Sequence, residues 1–177
     1  SQIGLYSAAN SLINALFVIP NAGYVVFIPI LSKTIDEDPQ RFHSLSRQMM
    51  AIFLALGLLM ALIVSLPVSW VIQFVLGSHY QTTSQLLVIL SPILFLKSLE
   101  FGWATILVAI NWQQRRLGPQ ALSAVNNILL NLIAIPFFGV KGVAIVYVIS
   151  EALLAVGYYW QVGRWNRQIR ISSGEHI

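Results

Sequence analysis

Residues 48–66 read QMMAIFLALGLLMALIVSL, nineteen positions without a charge. A helix rises about 1.5 Å per residue, so roughly 20 such residues cross the hydrocarbon core of a bilayer. Working outward, no Lys, Arg, Asp or Glu precedes Lys33, and none falls between Arg47 and Lys97 or between Arg116 and Lys141. Charged residues make up 9 % of the 177 positions and apolar residues 57 %, with a mean hydropathy of +0.76. An ordinary soluble domain carries about 25 % charged residues, and so few charges cannot cover a water-facing surface. The expected class is an all-α, polytopic transmembrane helical bundle of about five spans.

The expected spans are residues 5–31, 48–66, 84–110, 118–137 and 142–163, followed by a polar tail over 164–177. Pro20 and Pro29 fall inside the first, where a missing backbone N–H kinks a helix. Residues 33–47 read as a polar loop, and within it Asp38-Pro39 is an N-cap followed by proline at the first helical position. A short surface helix is expected to start there and run into the second span. Pro67 ends that span, Trp70 is set for an interface, and Gly77 to Tyr80 form an outer turn. Pro136 closes the fourth span, and a tight turn around Lys141 leads into the fifth.

Basic residues orient such a bundle, because Lys and Arg accumulate in cytoplasmic loops. Lys33, Arg41 and Arg47 lie in the first connection, Arg115 and Arg116 in the third, and Arg164, Arg167 and Arg170 in the tail. The alternate connections offer only His79 and Lys141. The chain is therefore expected to begin outside and to end with a cytoplasmic C-terminus. It starts at Ser1 with no basic leader before the first apolar run, which reads as part of a longer polypeptide.

Several chemistries are not expected. The chain has no cysteine, which removes disulfides, thiolate metal sites and thiol catalysis. The net charge of +4 is dispersed among turns, so no nucleic-acid partner is expected. His43, His79 and His176 are too scattered for a metal cluster. With neither a nucleophile elbow nor a phosphate-binding Gly-Lys-Ser/Thr loop, a non-enzymatic protein without a cofactor is the expectation.

Polar groups at membrane depth are the candidates for function. Lys97 falls at the midpoint of the third span, with Glu100 a turn further on. Glu151 lies near the middle of the fifth span, Asn127 and Asn131 flank the centre of the fourth, and Asn14 is a turn from the centre of the first. An ionised side chain at a helix centre costs at least about 2.5 kcal/mol, so it faces a cavity or a partner. Lys97 and Glu100, at i,i+3, can neutralise each other; alternatively Lys97 lines a polar cavity with Glu100 or Glu151 exchanging protons or binding a cation. The spacing of Asn10 with Asn14, and of Asn127 with Asn131, suits helix gluing. Ser91, Ser98, Gly102 and Thr105 form a small-residue packing stripe on the third span. Tyr158, Tyr159, Trp160 and Trp165 read as an interfacial belt.

Three segments resemble a known family. Ile3 to Ala9, with Ile19-Pro20 and Ile28 to Ser32, forms the first; Phe74 to Tyr80, with Leu87 to Pro92, the second. The third and most specific joins Asn127, Asn131, Ile135-Pro136, Phe138 to Ala144 and Ser150-Glu151. Together they are similar to Wzx-like polysaccharide flippases, in the superfamily of multidrug, oligosaccharidyl-lipid and polysaccharide flippases. The resemblance implies the C-terminal lobe of a two-lobed flippase in a bacterial or archaeal cytoplasmic membrane, lacking the N-terminal lobe of the same polypeptide. It further implies translocation of a lipid-linked oligosaccharide on a polyprenyl diphosphate for polysaccharide biosynthesis, with a glycan polymerase as a further partner. On that resemblance Lys97, Arg115, Arg116, Asn14, Asn127 and Asn131 are substrate-binding candidates, and Glu100 and Glu151 candidates for ion or proton coupling. A multidrug or peptidoglycan-precursor transporter of the same superfamily, or a non-transporting scaffold for glycan assembly, stands as the alternative.

Overall fold

The structure, a computed structural model, describes residues 2–65 and 81–172. Pro67, Trp70, the Gly77–Tyr80 turn, His79 and His176 lie outside the described residues. The described residues form helices α1 (Gln2–Leu16), α2 (Val18–Glu37), α3 (Pro39–Ser65) and α4 (Gln81–Ala109), a 3-10 turn at Gln113–Arg116, and α5 (Leu117–Ser172). Among the described residues, four stretches are long and apolar enough to cross a membrane: Ala9–Glu37, Pro39–Ser65, Gln85–Ala109 and Gln113–Gln168. Large apolar side chains also cover the outside, among them Leu132 at 69 % exposure and Phe137 at 77 %. That surface suits lipid rather than water, and the chain is a membrane protein.

Local chemistry sets the breaks. Pro20 has no N–H for the carbonyl of Leu16, and the ladder reforms one turn around Phe17, whose amide bonds to Asn14 at 3.2 Å. The expected first span is thus two helices, α1 and α2. Pro29 remains inside α2. The polar segment 33–47 is not a loop, because α2 continues to Glu37 and α3 begins at Pro39. Only Asp38, in extended backbone, separates them. Its Oδ1 accepts the amides of Gln40 and Arg41, each at 3.0 Å, which is the expected cap. Asp38→Ala is expected to lower stability by about 1 kcal/mol; thermal unfolding of the purified protein checks this, and an unchanged midpoint would refute the cap's role.

α4 ends in a Schellman motif. Asn111 sits in the left-handed region at φ 61°, its amide on Val108 at 3.0 Å and the amide of Trp112 on Leu107 at 2.7 Å. Asparagine tolerates that backbone through local hydrogen bonding of its short side chain. The motif turns the chain straight into Gln113–Arg116 and back into α5.

α5 bends sharply at Gly139, whose φ of 54° and ψ of −136° are outside helical values. The bend lies two residues before Lys141, where a turn was expected. Its two arms, 117–138 and 140–172, pack against each other. Ser123 Oγ donates to the carbonyl of Ser150 at 2.7 Å, and Pro119 abuts Gly157. The second arm stays helical to Ser172, so the first part of the expected polar tail is helix.

Two apolar clusters sit along α4. One gathers Phe42, Met49, Phe53, Leu107, Tyr158 and Trp165; the other Ala9, Ile13, Met60, Leu90, Leu94 and Ala144. The small-residue stripe is buried as expected: Ser91 is 5 % exposed, while Ser98 and Thr105 are fully covered. Ser98 and Thr105 return their hydroxyls to the carbonyls of Leu94 and Phe101. A Cβ on Gly57 of α3 would lie 2.7 Å from that of Ser98, so the two helices touch there with no room to spare.

A candidate polar site between α4 and the α5 hairpin

Lys97 is the middle residue of the 25-residue apolar stretch Gln85–Ala109. It lies on the side of α4 that meets the second arm of α5. Its Nζ donates to Glu100 Oε2 at 3.0 Å and lies 2.5 Å from Glu151 Oε2. The pairing predicted from spacing therefore exists, and Glu151 joins it from another helix. The two carboxylate side chains are 6 % and 10 % exposed, and the lysine 20 %. One lysine thus faces two buried carboxyl groups. Glu100 Oε1 has no hydrogen-bond partner among the described residues. A charge at this depth requires a partner of opposite sign, which explains why the two helices meet in this rotation.

The cluster opens into a cavity of about 180 Å³, lined by Lys97, Glu100, Phe101, Arg116, Gln120 and Tyr158 together with Ala104 and Leu154. Arg116 stands at its far end. The guanidinium donates to the hydroxyls of Tyr158 and Tyr24, both at 3.3 Å, and lies over the Tyr158 ring at 5.4 Å. Gln120 Nε2 donates to the same Tyr158 hydroxyl at 2.7 Å. A second cavity of about 390 Å³ shares Gln120 and Leu154 with the first and continues past Ser123, Asn127, Tyr147, Ser150 and Glu151. The two adjoin through these shared residues as a groove from the Arg116 turn to the middle of the hairpin, with Ala124, Ile128 and Leu154 giving the second an apolar wall.

The other candidates separate. Asn127 lines the groove but commits its amide, donating to Ser150 Oγ at 3.0 Å, while Asn131 donates to Asn127 Oδ1 at 3.0 Å. Asn127 thus glues the two arms of α5, whereas the bond of Asn131 stays within one arm. Asn14 is exposed on α1 outside either cavity, and Arg115 is exposed with its guanidinium 5.2 Å from the Trp112 ring centre. Neither is brought to Lys97. The aromatic belt divides as well. Tyr159 and Trp160 are 64 % and 55 % exposed, whereas Tyr158 at 2 % and Trp165 at 8 % belong to the core.

Gln120, Tyr24 and Tyr158 were not among the sequence candidates. Two of them carry a signal that periodicity could have caught. Gln120 is four residues after Arg116, and Tyr158 is seven after Glu151, so each shares a helix face with a charged candidate. Tyr24 carries no such signal, because only the bundle geometry brings α2 to the Arg116 turn.

No family model matches this chain, and neither a curated protein nor a solved structure matches it.

Proposed function

We propose that this chain is the C-terminal lobe of a flippase that moves a lipid-linked oligosaccharide, carried on a polyprenyl diphosphate, across the cytoplasmic membrane for polysaccharide biosynthesis. The observation that carries the reading is that Lys97, at mid-span, and Arg116, at a basic turn, line one cavity. A diphosphate headgroup needs cations in succession along its path, and Arg suits phosphate through its planar fork. The resemblance in the 127–151 segment supplies the substrate class.

In this reading α5 crosses twice, giving five crossings, and the basic turn and C-terminus are cytoplasmic by the Lys and Arg count. Transport belongs to the full-length, two-lobed protein, whose lobes rock about the groove. Glu100 and Glu151 outnumber Lys97 by one acid, so a single proton shared with the three residues leaves the cluster neutral. The titratable and charged groups around them are Lys97 on α4, Tyr147 one turn before Glu151, and Tyr6 of α1, packed on the same apolar cluster as Tyr147. Substrate phosphate engaging Lys97 would release the carboxylates to accept that proton.

Reconstitution of the full-length protein with a fluorescent polyprenyl-diphosphate oligosaccharide tests the proposal. Substrate is expected to reach the opposite leaflet faster than in protein-free vesicles, and equal rates would end it. Arg116→Gln is expected to slow transfer about tenfold, the equivalent of ~1.4 kcal/mol, whereas Arg115→Gln stays within about twofold since its side chain is outside the cavity. Equal losses from both variants would mean that Arg116 acts only as an orientation signal.

A second reading draws on the second cavity, where Glu151 is the single charged residue among the lining residues. An exporter of organic cations would use that carboxylate directly. The same vesicles loaded with a lipophilic fluorescent cation discriminate: cation efflux with no movement of lipid-linked sugar favours the exporter.

A further inference from the structure

Away from the polar groove, a separate cavity of about 240 Å³ lies where the start of α3 meets α4 and the second arm of α5. His43, Ser46, Arg47 and Met50 enter it from α3, recurring at the three- and four-residue spacing of one helix face. Trp103 of α4 and Tyr159 of α5 line the opposite wall, their ring centroids 5.7 Å apart. Phe42 and His43 both pack on Trp165, at 5.5 and 5.9 Å, which fixes α3 against the end of α5.

Three observations give this groove a ligand. Ser46 is 8 % exposed and lines the cavity, yet its hydroxyl has no hydrogen-bond partner among the described residues. Arg47 makes no ion pair among the described residues, and no acidic side chain lines the cavity. Of the acidic groups of the α2–α3 connection, Glu37 pairs with Lys33 at 3.8 Å, Asp38 caps α3, and Asp36 lines a different cavity beside Asn111. The groove also lies at the basic end of the bundle, with Arg41 and Arg47 on α3 and Arg164 and Arg167 on α5. Amphipathic aromatic side chains such as Trp103 and Tyr159 favour headgroup depth.

We propose that this groove binds the headgroup of an anionic phospholipid of the surrounding bilayer, its phosphate on Arg47 and Ser46 and the start of its acyl chain along Met50, Trp103 and Tyr159. A zwitterionic lipid would leave its ammonium group without a carboxylate, so the charge pattern selects a net anionic headgroup. Basic residues at an anionic leaflet add about 1 kcal/mol each, which concentrates such lipids at this end. The site holds a headgroup and the top of a chain; the rest of the lipid stays in the bilayer. The inference depends on the protein being in a membrane and not on what it transports.

The test uses full-length protein in a neutral detergent, titrated with dioctanoyl phosphatidylglycerol, dioctanoyl phosphatidylcholine and inorganic phosphate while the unfolding midpoint is followed. Phosphatidylglycerol is expected to raise the midpoint saturably. Arg47→Gln and Ser46→Ala should each raise the half-saturating concentration, about tenfold for the arginine, while Lys141→Gln, beside the Gly139 bend at the opposite end of the second arm of α5, leaves it unchanged. Ser46→Ala removes an unpartnered hydroxyl and so keeps the fold even if Arg47→Gln cannot be purified. A shift reproduced by inorganic phosphate would make the site one for free phosphate. Equal response to phosphatidylcholine, or wild-type binding by both groove variants, would overturn the proposal.

Discussion

Lys97→Ala in the full-length protein is expected to abolish surface polysaccharide and also to reduce the amount of folded protein. Removing the ammonium leaves Glu100 and Glu151 facing each other at mid-span with no cation. Breaking a buried pair by deleting one partner costs about 3–5 kcal/mol, a large fraction of the ~5–15 kcal/mol that stabilises most folds. A single variant therefore confounds folding with transport. The neutral combination Lys97→Met, Glu100→Gln and Glu151→Gln separates them. Buried ion clusters replaced by neutral groups of similar volume are often no less stable, so folded protein should return to wild-type levels by quantitative immunoblot. Polymer export should remain lost, because the proposed function assigns phosphate to the missing cation and a proton to the missing carboxylates. Normal export by the triple variant would make the cluster purely structural and would remove the main support for the proposed function.

Gly57→Val carries the second largest expected effect, and it is one of folding alone. The Cβ of any residue there would meet Ser98 Cβ at 2.7 Å and the Phe95 Cα at 3.0 Å. The second contact is with backbone, so no rotamer change relieves it, and α3 must move off α4. Overpacking of this kind typically costs about 1–3 kcal/mol, occasionally more. In lipid that loss is acute, since apolar side chains gain little by leaving the bilayer and helices associate through close packing. Gly57→Val should lower the unfolding midpoint by several degrees or remove folded protein altogether. Adding Ser98→Gly to Gly57→Ala should recover part of the loss, because one of the two contacts disappears. Gly118→Ala is the control, having no atom within 4 Å of its added carbon. A Gly57→Val protein as stable as the control would show that the α3–α4 approach is looser than described.

Much of the architecture was legible in the charge-free runs, because bilayer thickness imposes one length on every crossing. What escaped was the behaviour of the polar segments between them. Residues 33–47 carry enough charge to read as loop, yet Asp38 and Pro39 let one helix end and the next begin within a single residue. At the site, Lys97 with Glu100 was readable because both lie on one helix. Glu151 was readable as a buried charge, though not as the third member, since its partner is over fifty residues away and depends on helix rotation. Arg116 was marked, together with Arg115, by the count of basic loop residues and by the family resemblance. That it reaches two tyrosines on two helices, while its neighbour Arg115 turns outward, follows from the Schellman turn at Asn111. A left-handed residue there is a tertiary choice that hydropathy does not encode.

The bend at Gly139 bears on how the chain enters the bilayer during synthesis. The two arms of α5 pair some of their polar groups with each other, Ser123 and Asn127 of one arm meeting Ser150 of the other. They can therefore leave the translocon as one hairpin without exposing those groups to lipid. Glu151 differs from these three, for its ionic partner Lys97 is not on the hairpin. The order of translation supplies it: α4 emerges first, with Lys97 already held by Glu100 three residues on, and stands ready when Glu151 arrives. Each charge thus passes into the membrane beside a countercharge already in place.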